Sequence, residues 1–90
     1  PGVAHPAIGT RVAVFGGQGG LAERGVFSAA RCLALPEGMP MTLAAGFQVA
    51  YGTSHLALTR RARLQPGETL LVLGAAGGVG LAGVEIAKAM

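Results

Sequence analysis

The spacing of hydrophobic positions changes twice along these 90 residues, dividing the chain into three stretches. The first reads as β structure. Val12, Ala13, Val14 and Phe15 form an apolar run at the end of a strand predicted over residues 9–15. Gly16-Gly17-Gln18-Gly19-Gly20 follows as a turn with room for positive φ angles, and residues 21–27 are expected as the partner strand of a hairpin. Leu33, Ala34 and Leu35 predict a further short strand, closed by a turn at Pro36-Glu37-Gly38. From Thr42 the period becomes helical. Thr42 is the expected N-cap, and Leu43, Phe47, Val49, Ala50, Leu56 and Leu58 continue the pattern through two helices broken near Gly52. Arg60, Arg61 and Arg63 stand at the C-terminal end, where positive charge complements the helix dipole. Gln65-Pro66-Gly67-Glu68 then turns the chain.

The third stretch is the most informative. Leu70, Leu71, Val72 and Leu73 are uniformly apolar, as in a strand covered on both faces of a parallel sheet. The turn Ala75-Ala76-Gly77-Gly78-Val79-Gly80 follows directly, and Val84, Ile86, Ala87 and Met90 then fall at helical spacing. A strand that passes through glycines into a helix N-terminus suits a dinucleotide pyrophosphate; the competing reading is a plain strand–helix turn. On the first reading a side chain at Gly77 would block approach of the backbone to the pyrophosphate. Gly78 adds freedom to the turn, and Gly80 allows close packing of helix on strand. Ala75 stands where the common pattern has its first glycine. The acidic residue that usually accompanies this motif falls about 20 residues further on, past Met90.

Composition narrows the choice. Apolar residues make up 51% of the chain, and the 16 glycines cluster at residues 16–20 and 74–83, so they mark turns and not a low-complexity linker. The net charge of +3 comes largely from the three clustered arginines; with one Tyr, no Trp and no long basic stripe, a nucleic-acid partner is excluded from the reading. Glycines and Glu85 interrupt the apolar run of residues 70–87, which argues against a membrane span. Cys32 alone cannot form an internal disulfide, which favours a reducing cytoplasmic setting, and it reads as a small buried side chain. One Cys and the distant His5 and His55 supply no metal site. The chain is expected to be a piece of a larger protein. It opens at Pro1 without an initiator Met and stops at Met90 with no helix C-cap signal, and one βα unit cannot bury its own strand.

The order of these segments carries a resemblance. A strand with a Gly-rich turn, Leu35-Pro36-Glu37-Gly38-Met39, a helix running into Arg63-Leu64-Gln65-Pro66-Gly67-Glu68, and Val72-Leu73-Gly74-Ala75-Ala76-Gly77-Gly78-Val79-Gly80 resemble the medium-chain dehydrogenase/reductase superfamily. The branch is the zinc-independent, NADPH:quinone reductase-like one. The resemblance implies an α/β chain: residues 1–41 as the end of a GroES-like β domain, and residues 42–90 as linking helices and the first βα unit of a Rossmann domain, a doubly wound parallel sheet. It implies NADPH as cofactor, a small-molecule acceptor as partner and a homo-oligomeric parent, dimer or tetramer.

Carried over position by position, the resemblance places Ala76, Gly77, Gly78, Val79 and Gly80 in the pyrophosphate loop. Thr53 matches a threonine near the nicotinamide, where its hydroxyl would bond the carboxamide; as a helical Thr it would otherwise bond its own backbone. The family often has an aromatic residue where this chain has His55 and a His where it has Leu56, which argues against proton transfer by His55. No catalytic residue and no metal ligand is assigned. The implied reaction is hydride transfer from NADPH to a quinone or an α,β-unsaturated carbonyl. The alternatives are an enoyl reductase module of a polyketide or fatty-acid synthase, and a nucleotide-binding subunit without catalysis.

Overall fold

The computed structural model describes residues 2–90, a mixed α/β chain with two compact units that divide between Ala45 and Gly46. In the N-terminal unit, β1 (Val12–Val14) pairs antiparallel with β2 (Cys32–Ala34). Val12 lies opposite Ala34, Ala13 opposite Leu33 and Val14 opposite Cys32. The Leu35 amide extends this ladder by donating to the Arg11 carbonyl at 2.9 Å, and the Arg11 guanidinium donates to the Met39 carbonyl. Pro36, Glu37 and Gly38 turn as predicted, with the Met39 amide donating to the Pro36 carbonyl at 3.2 Å and Gly38 at φ 78°.

The expected hairpin is not formed. Residues 21–27 make no strand, and the partner of β1 is β2. Phe27 supplies the physical reason. Its ring lies against two glycines, so that an added Cβ would stand 2.7 Å from the ring at Gly16 and 2.4 Å at Gly25. The glycine cluster is therefore part of a long loop, whose residues Gly16 and Gly25 meet at the Phe27 ring. A one-turn 3-10 helix, Ala29–Arg31, leads from it into β2.

Helix α1 (Met41–His55) is one continuous helix that includes Gly52, and not two helices. Its first bond runs from the Ala44 amide to the Pro40 carbonyl at 3.0 Å, so Thr42 lies in the first turn and is not the N-cap. Proline is well tolerated at a helix start because those N–H groups have no intrahelical acceptor in any case. The helix then widens into a π-helical turn, Leu56–Arg61, with the Ala62 amide reaching the Ala57 carbonyl at 2.7 Å. Thr59 contributes to the change: its Oγ1 donates to the His55 carbonyl at 2.6 Å and competes with the backbone ladder. Arg63, at φ 53°, ends the helical path. Gln65-Pro66-Gly67-Glu68 turns as expected, with the Glu68 amide on the Gln65 carbonyl at 3.2 Å and the Glu68 carboxylate accepting from the Gln65 amide at 2.7 Å.

Residues 70–73 do not form the predicted strand. No ladder reaches them from the described residues, and Leu71 is 81% exposed. A central strand of a parallel sheet takes its hydrogen bonds from neighbours on both sides. The apolar run reports the demand for those neighbours, and β1 and β2 pair with each other. Helix α2 (Gly78–Ala89) follows the glycine turn and buries Ala82 and Gly83. None of the described helices is long and apolar enough to cross a membrane.

Candidate functional site

The glycine turn is closed by one backbone hydrogen bond, from the Gly77 amide to the Gly74 carbonyl at 3.0 Å. Gly74 holds φ 65°, the left-handed region that glycine enters without steric cost. The turn glycine is thus Gly74, one residue before the position the motif assigns to Ala75, which takes its methyl group without that strain. Gly77 is the N-cap of α2, extended at φ −79° and ψ 164°, and its carbonyl accepts from the Leu81 amide at 2.8 Å.

One glycine is required by contact, and a second sits close to the same oxygen. A Cβ on Gly80 would fall 2.2 Å from the Gly74 oxygen and 3.0 Å from the Ala75 Cα. No rotamer relieves that clash, because the opposing atoms are backbone. A Cβ on Gly77 would stand 3.3 Å from the same oxygen. Gly78 works otherwise than expected: as the first helical residue it has no positive φ, and its position would place a Cβ 4.0 Å from that of Ala50. The first turn of α2 is thereby drawn tightly over the Gly74 carbonyl.

This geometry leaves the amides of Gly78, Val79 and Gly80 as the first-turn donors that have no intrahelical acceptor. The first turn contains no acidic residue, and Gly77 has no side chain to cap it. With the helix dipole added, the N-terminus of this 12-residue helix offers oriented donors and partial positive charge to an anion. Ala76, exposed, stands directly before the cap, and Val79 is 48% exposed within the donor set.

Helix α1 supports the loop from behind. Ser54 is 4% exposed, and its Oγ donates to the Val79 carbonyl at 2.7 Å. Gly83 lies beside that hydroxyl, a Cβ there standing 3.8 Å from it, an ordinary packing distance. Further along, the Tyr51 hydroxyl donates to the Glu85 carboxylate, and the Tyr51 ring stacks on Phe47 at 4.5 Å between centroids. Thr53 is exposed on α1, next to the residue that holds Val79, while His55 is exposed and offers its carbonyl to Thr59. Cys32 is half-buried in β2, within the N-terminal unit. Among the described residues no group of three or more His, Cys, Asp and Glu stands together. A groove of about 630 Å³ lined by Leu64, Gln65, Pro66, Leu70, Ala87 and Met90 lies at the C-terminal end of α2, away from the loop.

Sequence reasoning missed Ser54 and Gly74. A signal for Ser54 was present: Phe47, Ala50, Tyr51, Ser54 and Leu58 share one helical stripe, and a lone hydroxyl on an apolar stripe needs a buried partner. Gly74 was hidden because φ cannot be read from a run in which glycine and alanine alternate.

The chain is similar to two groups of known proteins. Over 74 residues it is 42% identical to a quinone oxidoreductase-like protein 2 homolog of Nematostella vectensis, a match covering 82% of the chain and 20% of that protein. It is 51% identical over 53 residues to quinone oxidoreductase-like protein 2 of Rattus norvegicus, covering 59% of the chain and 15% of the relative. Polyketide synthase GfsB of Streptomyces halstedii is 43% identical over 90 residues, which is 98% of the chain and 2% of the synthase. The chain thus spans a fifth or less of the length of these relatives. No family model and no solved structure matches it.

The Tyr51–Glu85 contact carries a pH signature. Donation to the carboxylate, then desolvation, then repulsion by the Glu85 charge raise the Tyr51 pKa above its ordinary 10.0. A raised folded-state value means the contact's contribution is complete below the unfolded pKa and is lost as pH rises through the folded one. In the full-length protein, a ¹³C-tyrosine titration assigned with Tyr51→Phe should show a midpoint above 10.0 that falls in Glu85→Gln. An unchanged midpoint in Glu85→Gln would refute the pairing.

Proposed function

Because the chain belongs to the quinone oxidoreductase-like branch of the medium-chain dehydrogenase/reductase superfamily, we propose that it is the domain junction of an NADPH-dependent reductase. In this reading residues 1–41 close a GroES-like β domain and residues 42–90 open a Rossmann domain. The observation that carries the proposal is the turn over Gly74. It presents the free amides of Gly78, Val79 and Gly80, with Gly80 leaving the room that the Gly74 carbonyl needs to lie against the first turn of the helix. A doubly charged pyrophosphate is the ligand such a cradle suits, since it accepts several N–H groups at once.

NADPH, when bound, supplies a hydride for an electron-poor acceptor, a quinone or an α,β-unsaturated carbonyl. The residues of this chain bind and orient. Ala76, Gly77, Gly78, Val79 and Gly80 hold the pyrophosphate by backbone contacts, and the exposed Thr53 hydroxyl is free to meet the nicotinamide carboxamide. No residue here takes a proton-transfer role. The choice of NADPH over NADH follows the family resemblance, because discrimination occurs at the ribose 2′ position near the end of the next strand. The parent is proposed to be a cytoplasmic homo-oligomer, dimer or tetramer, acting on a small molecule without nucleic acid or membrane.

A second reading is an enoyl reductase module of a polyketide synthase, favoured by the match to GfsB across 98% of the chain. Both readings place the same loop under the same cofactor. Turnover of NADPH with a free quinone, against turnover with an acyl-thioester enone, separates them. A nucleotide-binding subunit without catalysis would bind NADPH and turn over neither.

In the full-length protein, Gly77→Val should raise the NADPH dissociation constant at least tenfold, about 1.4 kcal/mol, while the fold is retained. Fluorescence titration showing unchanged affinity would remove the pyrophosphate assignment. The purified protein should also keep its activity after chelation. About one zinc per chain by elemental analysis, lost together with activity, would place it in a zinc-dependent branch.

A further inference from the structure

We infer that Ser54 is a positioning residue for the dinucleotide loop, acting through the Val79 carbonyl on the donor strength and aim of the Gly80 amide. The inference builds on the cofactor reading above. The Ser54 hydroxyl is 4% exposed, so no water competes for it, and it donates to the Val79 oxygen at 2.7 Å. The peptide joining Val79 to Gly80 is planar, so the direction of the Val79 C=O sets the direction of the Gly80 N–H on the opposite side. That N–H is the last of the free first-turn donors. A hydrogen bond accepted by a carbonyl also polarises its peptide, which makes the attached N–H a better donor.

The surroundings fit this task more closely than simple core filling. Gly80 has no side chain because the Gly74 carbonyl leaves no room, so it has no side-chain packing of its own to hold its peptide plane. Gly83 lies beside the Ser54 hydroxyl, so that the serine packs directly against the α2 backbone. The Val79 oxygen lies inside a helix and has its intrahelical donor as well, so the serine bond is additional to the helix ladder. Removing it should therefore leave α2 folded and change the anion site.

The test uses the full-length protein, with NADPH and adenosine 2′-phosphate as paired probes. The second probe has the adenosine end and no pyrophosphate. In Ser54→Ala, the NADPH dissociation constant should rise about fivefold, roughly the net worth of one neutral hydrogen bond. The constant for adenosine 2′-phosphate should not change, and the melting temperature should stay within a few degrees. Ser54→Cys, whose thiol is a weaker donor in nearly the same shape, should fall between wild type and Ala. Unchanged NADPH affinity in Ser54→Ala would overturn the inference and leave the cofactor reading intact. An equal loss for both probes would also overturn it, since that marks general loosening. Failure of the wild-type protein to bind NADPH would remove the cofactor reading and the inference together.

Discussion

The close approach between the Gly74 carbonyl and the first turn of α2 is the constraint on which the candidate site depends. A Cβ at Gly80 would stand 2.2 Å from that oxygen, inside any tolerable van der Waals distance. The consequence runs from sequence to chemistry. Gly74 turns the chain at positive φ, the Gly77 amide closes on the Gly74 carbonyl, and α2 starts at once with its first amides free. Lengthening that approach by one methyl group would move the amides apart from the turn that frames them. Two of the glycines thus answer to different demands: Gly80 to contact, and Gly74, the one of Gly74, Gly77, Gly78 and Gly80 with a positive φ, to backbone conformation.

Helix α1 packs against the loop and the first turns of α2 from behind. Gly78 faces Ala50, Gly83 faces Ser54, and the buried Ser54 bridges to the Val79 carbonyl. A residue without a donor at position 54 would leave the Val79 peptide held by the helix alone. Tyr51, stacked on Phe47 and bonded to Glu85, adds a polar clasp at the exposed edge. Function enters at the end of this chain of contacts, because a rigid first turn can present donors to an anion without reorganising for it.

What could be read from the residues followed local chemistry. The turns at Pro36-Glu37-Gly38 and Gln65-Pro66-Gly67-Glu68 were legible because proline and glycine set φ directly. The helix after Pro40 was legible from its period, although not its cap, since the Pro40 carbonyl accepts the first helical bond and Thr42 falls inside the first turn. Pairing was not legible. The Gly16–Gly20 cluster looked like a tight hairpin, but it lies in a longer loop in which the Phe27 ring meets Gly16 and Gly25, and β1 pairs with β2. The run at residues 70–73 showed that a strand wants burial, while a strand is made by its neighbours. In the site, the loop was legible as a motif; Ser54 was not, because its role exists only once α1 and α2 face each other.

The most direct measurement is an amide ¹⁵N–¹H titration of the full-length protein with NADPH, with residues 74–83 assigned. Binding at the first turn of α2 predicts saturable downfield shifts of the Gly78, Val79 and Gly80 amide protons, as free donors acquire a charged acceptor. The Gly77 and Leu81 amides, already committed to the Gly74 and Gly77 carbonyls, should move far less. Saturation of NADPH binding with those three amides unmoved would contradict the account.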